Sequence, residues 1–482
     1  MRRRTFVRHT FALGGALALP SLAPQVRSAE PAPGSRSPAG PDRAARRELV
    51  ARPATEPLVG MPWPHTPVLG FDGTVPGPEL RVPAGEPLSL RIVNGLDQPT
   101  SVHWHGVRAP WSMDGVAGLT QAPIPPGDHF DVDFTPPDAG TYWYHAHANT
   151  PEQVGRGLHG TLIVEEAAPI AVDRELVWTL DDWRLTPEAT IVEGFANGHD
   201  LSHAGRIGNT VTLNGRREPP VRVRAGERVR LRLINAANAR QFALDFGELA
   251  PRIVAIDGQP VAPHAPDGLV TLASAGRVDL VVDLPPRPSA RFDVIDRAYR
   301  EPVTVGWLAT DRTAPLRNAP PQTPIDLGAP TLPEPDLGSA IELEVRMDGG
   351  AMRGLPRARL GGEWLDGRAL ARRGKFWALN ELVSTGYDAP PLLEVERGRT
   401  VRLALVNDTA FVHPMHLHGH HVKLLSRGGR APARTTWHDS VSVAPDERVE
   451  VAFVADNPAR WLFHCHVLEH HLAGLGALVH VT

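Results

Sequence analysis

The chain has 482 residues, 42% of them hydrophobic and 22% charged, with a formal net charge of −4 and no long run of one sign. This balance argues against nucleic acid or an anionic membrane as the main partner, and the length allows about three domains of roughly 150 residues. Gly 45 and Pro 49 are abundant but below the level of a disordered chain, which points to many short strands joined by turns and so to an all-β fold.

In chain order, residues 1–29 begin with arginines that include the pair Arg3 and Arg4, followed by Phe6 and an apolar, small-residue stretch from Thr10 to Leu22. This reads as a twin-arginine (Tat) signal peptide, with cleavage after Ala23 or Ala29; the apolar stretch is too short to span a membrane. The expectation is a periplasmic or secreted protein that engages the Tat export machinery and has no integral membrane span. Residues 30–46, rich in Pro, Ser, Ala and Arg, read as a flexible leader. In an oxidising compartment the single cysteine, Cys465, has no internal partner, so it is either a free thiol or a ligand.

From residue 47 the chain repeats itself. Leu80–Asn94, Val221–Asn235 and Leu393–Asn407 each read as strand, turn and alternating strand, with Gly85, Gly226 and Gly398 nine positions before Asn94, Asn235 and Asn407. Ala122–Phe134, Val270–Asp283 and Ser440–Phe453 are a second set of equivalents. Three homologous β-sandwich domains are therefore expected at 47–166, 167–312 and 341–482, with a Pro-rich linker at 313–340 between the second and third.

The repeat also locates candidate chemistry. Nine residues after Asn94 stands His103, opening His103-Trp104-His105-Gly106, and nine after Asn407 stands His416, opening His416-Leu417-His418-Gly419; the middle repeat has Leu244 and Phe246 there instead. His145 and His147 close the first repeat as His464 and His466 close the third, with Ala146 where the third has Cys465. Eight histidines in four H-x-H pairs, shared equally by two domains, suit three copper ions at a domain interface, with room for a small ligand. On a strand, His464 and His466 share one face and Cys465 points the other way. Cys465 with His413 and His470 then offers a trigonal thiolate and imidazole set suited to copper; a buried structural cysteine is the alternative. The remaining ring nitrogens require acceptors that the sequence does not identify.

His103-Trp104-His105-Gly106, Tyr144-His145-Ala146-His147, His413-Pro414-Met415-His416-Leu417-His418-Gly419, and His464-Cys465-His466 with His470 and Gly474 resemble the four signatures of the multicopper oxidases, a family that includes laccases, bilirubin oxidases and bacterial cuprous oxidases. The resemblance covers about residues 47–482. It implies three cupredoxin-like Greek-key β-sandwich domains and four copper ions. His413, Cys465 and His470 would hold the type 1 ion, His103 and His416 the type 2 ion, and His105, His145, His147, His418, His464 and His466 the type 3 pair. The implied activity is laccase-like oxidation, in which a small-molecule aromatic reductant or a metal ion gives electrons one at a time and dioxygen takes four. His464, Cys465 and His466 would carry them across a link of about 10 Å, at roughly 3.3 Å per residue.

Within that resemblance, Leu475 occupies the axial position of the type 1 site, where a noncoordinating side chain raises the potential; plain apolar packing is compatible with the same residue. Asp114, before Gly115, is a candidate proton relay or a turn former, and His471 stands where several bacterial members have an acid. Glu469 reads as a neighbouring acid or a solvated charge, and His420, His421 and His438 read as near-surface residues. The six methionines form no cluster, which favours aromatic donors over cuprous ion. Two alternatives remain: a cuprous or ferrous metallo-oxidase, and a noncatalytic exported cupredoxin scaffold or copper-binding protein.

Overall fold

The alternation in Leu88-Ser89-Leu90-Arg91-Ile92 becomes the strand Leu88–Asn94, with Leu88, Leu90 and Ile92 buried and Ser89 exposed. A computed structural model describes residues 46–387 and 389–482; residues 1–29, expected to be a signal peptide, and residues 30–45 of the expected leader lie outside the described residues. Counterparts of this strand are Arg228–Asn235 and Thr400–Asn407, and each pairs in parallel with the first strand of its own sandwich: Arg47–Glu56, Arg174–Trp183 and Ile341–Gly349.

The asparagine that ends each repeat is a clamp. The Asn94 amide donates to the carbonyls of Gln98 and Ile124, that of Asn235 to Arg240 and Ala273, and that of Asn407 to Phe411 and Val443. Each side-chain oxygen accepts from the backbone N–H two residues on, at Leu96, Ala237 and Thr409. One fully buried side chain thus ties the two halves of each repeat together with its hydrogen bonds satisfied.

Two sheets face each other in each of the three cupredoxin-like domains. The first domain has two four-stranded sheets, the second a six- and a five-stranded sheet, and the third likewise a six- and a five-stranded sheet, all closed over Leu, Ile, Val, Phe and Trp side chains. The all-β architecture expected from composition is what forms. The strand Arg228–Asn235 departs from simple alternation and is buried along its whole length. Its Arg230 and Arg232, which alternate like a solvent face, meet Glu166, Glu175 and Asp279 beneath the first domain. Paired in this way, the charges tolerate burial. The Pro-rich segment is pinned, not free: Arg228 donates to the carbonyls of Pro321 and Thr323, and Asp336 N–H to the Thr400 hydroxyl. No helix among the described residues is long and apolar enough to cross a membrane.

Candidate metal centre

Each histidine pair lies on a short strand or ends one residue beyond it, and these strands face one another. Val102–His105 pairs antiparallel with Gly140–Ala146, placing His103 opposite His145, and His413–Leu417 pairs with Ala459–Cys465, placing His416 opposite His464 and Met415 opposite Cys465. Where first and third domains meet, His105 stacks on His416 with centroids 3.9 Å apart, and His103 lies 4.1 Å from His418. All eight are buried, none more than 4% exposed. The structure brings together every histidine of the four pairs.

The hydrogen-bond pattern decides what this cluster can hold. Carbonyl oxygens are pure acceptors, so a ring nitrogen bonded to one carries the proton and leaves its twin as a lone pair. The Nδ1 atoms of His103, His145, His416 and His464 donate to the carbonyls of Asp114, Ala146, Asp439 and Cys465, at 2.7, 3.0, 2.9 and 2.9 Å. His418 Nδ1 donates to the Asp114 carboxylate at 2.9 Å. The Nε2 atoms of His103, His145, His416 and His466 are buried without any partner, and those of His418 and His464 oppose each other at 3.1 Å. His105 is reversed: its Nε2 donates to Asp439 at 3.0 Å and its Nδ1 is the unpartnered atom. Converging lone pairs with no proton between them repel unless a cation sits among them, and neutral imidazoles are good ligands for copper. Burial, followed by the mutual repulsion of the other rings, pushes His145, His418, His464 and His466 well below the ordinary histidine value and so keeps them neutral.

Cys465, on the opposite face of its strand, meets His413 and His470. Its Sγ is 3.5 Å from His413 Nδ1 and 3.7 Å from His470 Nδ1, and the two nitrogens are 3.1 Å apart. Their Nε2 atoms are held from outside, by the Thr409 hydroxyl at 2.8 Å and the His203 carbonyl at 2.5 Å. Thr409 and His203 are the outer acceptors that sequence reasoning left unnamed. Both Nδ1 lone pairs therefore face the sulfur, a fit for a soft cation. Burial pushes the Cys465 thiol up from its ordinary value, so only a bound cation would make it a thiolate here. Trp377 lies against His470, centroids 4.3 Å apart, and Leu475, fully buried, shares the apolar cluster of Cys465.

Asp114 spans both domains. Its carbonyl fixes His103, its Oδ2 fixes His418, and its Oδ1 lies 3.2 Å from His103 Nδ1. The glycine after it is required: Gly115 has φ of 82°, and a Cβ there would lie 1.8 Å from the Val102 carbonyl oxygen. Asp439 was passed over in the sequence, yet it binds His105 and is buried. Burial would raise its carboxyl, but the Arg277 guanidinium and then His105 hold it well below the usual carboxylate range.

Two expectations are corrected. His420 and His421 are buried, at 2% and 4% exposure, because the surface that carries them is covered within the molecule; His438 is half-buried. Glu469 is not a solvated charge: it is fully buried and accepts from Asn238 Nδ2 at 2.9 Å. His471 lies with its ring 4.3 Å from that of His464. It lines a cleft of about 590 Å³ with His147, Asn149, Lys375 and Tyr387.

Known proteins resemble this chain along most of its length. Profiles described as multicopper oxidase match residues 57–169, 174–306 and 368–482. The multi-copper oxidase from Pseudomonas thermotolerans is 31% identical and superposes with a TM-score of 0.79, covering 90% of this chain and 98% of that one. Lac15, from a marine microbial metagenome, is 35% identical with a TM-score of 0.71, covering 91% of this chain and all (100%) of that one. Among curated proteins, the multicopper oxidase MmcO of Mycobacterium tuberculosis is 28% identical over 90% of this chain and 86% of its own length.

Proposed function

The chain belongs to the multicopper oxidase family, copper-dependent oxidoreductases that use dioxygen, and from that premise we propose a laccase-like oxidase with four copper ions. His413, Cys465 and His470 hold the type 1 ion, His103 and His416 the type 2 ion, and His105, His145, His147, His418, His464 and His466 the type 3 pair. The single observation that carries this is the set of buried, unprotonated ring nitrogens aimed at one another in two separate places. When bound, the copper ions supply the redox chemistry, taking single electrons from a phenol or aromatic amine at one site and passing four to dioxygen at the other.

The protein's part is placement. Cys465 faces one site while His464 and His466 face the other, so a covalent path of one residue in each direction joins them. The histidines stay neutral and oriented through their carbonyl and carboxylate acceptors, as ligands must. Asp114, whose Oδ1 is buried without a hydrogen-bond partner, is the residue that would hold a proton bound for the cluster. The cleft at His147 and His471 offers a route for dioxygen and water.

A second reading, a cuprous or ferrous metallo-oxidase, is favoured by one feature. His470 is fully buried and its outer nitrogen is occupied by the His203 carbonyl, so an aromatic donor does not touch the ring in this conformation. Copper quantitation on the purified protein should return about four ions per chain, and oxygen uptake should be supported by a donor. Faster uptake with a bulky phenol than with Cu(I) supports the first reading, the reverse order supports the second, and none with either donor removes both. The N-terminal arginines support periplasmic or secreted location by the Tat route; replacing Arg3 and Arg4 by Lys should block export, and unchanged export would remove that assignment.

A further inference from the structure

The middle domain supplies no ligand histidine, yet two of its side chains reach the cluster, Ser274 from the turn before the strand Arg277–Asp283 and Arg277 from its first residue. Ser274 Oγ lies 3.4 Å from His466 Nδ1. Arg277 is fully buried and touches all three domains: its Nε donates to the Thr141 carbonyl of the first at 3.3 Å, its Nη1 lies 3.4 Å from Asp257 of the second, and its two Nη atoms take both oxygens of Asp439 in the third. Asp439 in turn accepts from His105 Nε2 at 3.0 Å and from the Ser440 hydroxyl at 2.9 Å.

His105 is the cluster histidine whose proton must sit on Nε2, because its Nδ1 is the atom left bare. That tautomer needs an acceptor at Nε2 in a fixed place. The fork of Arg277 supplies one by locking both oxygens of Asp439, a planar match that a lysine point charge does not make. The turn after His105 is built around the same pair: Gly106 has φ of 84°, and a Cβ there would lie 2.3 Å from Arg277 Nη2 and 2.4 Å from Asp439 Oδ2. The glycine of the first H-x-H-G motif is thus the space the ion pair occupies.

We propose that Arg277 is a positioning residue for the copper cluster: through Asp439 it fixes the tautomer and ring angle of His105, so that the ligand-free middle domain governs how tightly the cluster holds metal. This rests on the four-copper reading above. Changing such outer partners typically costs 10–100-fold in metal affinity.

The test uses the copper-loaded full-length protein and its Arg277→Lys and Arg277→Gln variants. Read for each are copper per chain, the chelator concentration that strips half of the cluster copper, and the absorption of the Cys465 site, which is built from other residues and reports an intact third domain. The expected result is normal Cys465-site absorption with cluster copper lost at roughly 10–100-fold lower chelator concentration, Lys falling between wild type and Gln. Unchanged chelator resistance in both variants overturns the proposal. Should a lone buried Asp439 charge prevent folding, the neutral double variant Arg277→Gln, Asp439→Asn decides: cluster copper held as in wild type overturns the proposal, and weakened retention sustains it. Wild-type protein without cluster copper would instead sink the four-copper reading, a distinct outcome.

Discussion

His470 donates the hydrogen of its outer ring nitrogen to the backbone carbonyl of His203, 2.5 Å away, so a residue of the middle domain closes over a ligand candidate of the third. The cover is held in place: the short helix Gly198–Ser202 is capped by Asn197, and Trp377 Nε1 donates to the Leu201 carbonyl at 2.7 Å.

Loosening that cover should change donor preference. Replacing residues 198–203 by a Gly/Ser linker is expected to raise kcat/KM for a bulky phenol at least tenfold, about 1.4 kcal/mol in transition-state binding, with little change in KM for dioxygen. Steady-state oxygen uptake measures both. An unchanged or lower phenol rate would mean that electrons already pass through the covering peptide.

Cys465→Ser removes the sulfur while keeping the size of the side chain. Blue absorption and donor oxidation should both be lost, since a hydroxyl is a harder and far less acidic ligand. Full retention of activity would rule out Cys465 as the electron acceptor's ligand. Circular dichroism separates this from unfolding.

Leu475→Met offers a weak sulfur donor beside the same site. The type 1 potential should fall in a redox titration, because an axial donor stabilises the oxidised ion. The swap conserves volume, so stability should change by less than about 1.5 kcal/mol. A rise or no change in potential would show that Leu475 packs without facing the metal.

Asp182 gives a pH dependence away from the proposed ligands. Burial, opposed by Arg240, raises its carboxyl from 3.8 to about 7, and its Oδ1 has no partner. With the folded value above the unfolded one, the folded state keeps the proton longer. Its stability contribution is complete below about pH 4, declines as pH rises through 7, and is gone above that. Asp182→Asn, neutral throughout, should match wild type near pH 4 and exceed it at pH 8, by at most on the order of 4 kcal/mol. Chemical denaturation at the two pH values checks this, and equal differences at both would refute it.

Much of the framework is legible in the sequence because it is local and repeated. The spacing from Gly85 to Asn94 to His103 is a strand length plus a turn, and Asn94, Asn235 and Asn407 perform one clamping job in three places. The H-x-H pairs declare themselves because alternate residues of a strand share a face. What lies between domains is not legible that way. Arg277 and Asp439 are 162 residues apart and His105 and Asp439 are 334 apart, and no periodicity within either strand reports the other. Arg230, Arg232, His420 and His421 look like solvent faces because a surface covered by another domain keeps the polar alternation of an exposed one, with its cost met by partners elsewhere in the chain.

The pairing of His105 with Asp439 across 334 residues also orders events in time. Contacts of such long separation close late in folding, after both outer domains have been synthesised and docked. A chain stopped before His413 would carry four of the eight clustered histidines and no pocket for them to share. On the four-copper reading, copper uptake at the cluster therefore follows finished assembly: a misdocked or truncated molecule would lack the cluster and stay inert, and would not become a half-built oxidase releasing partly reduced oxygen.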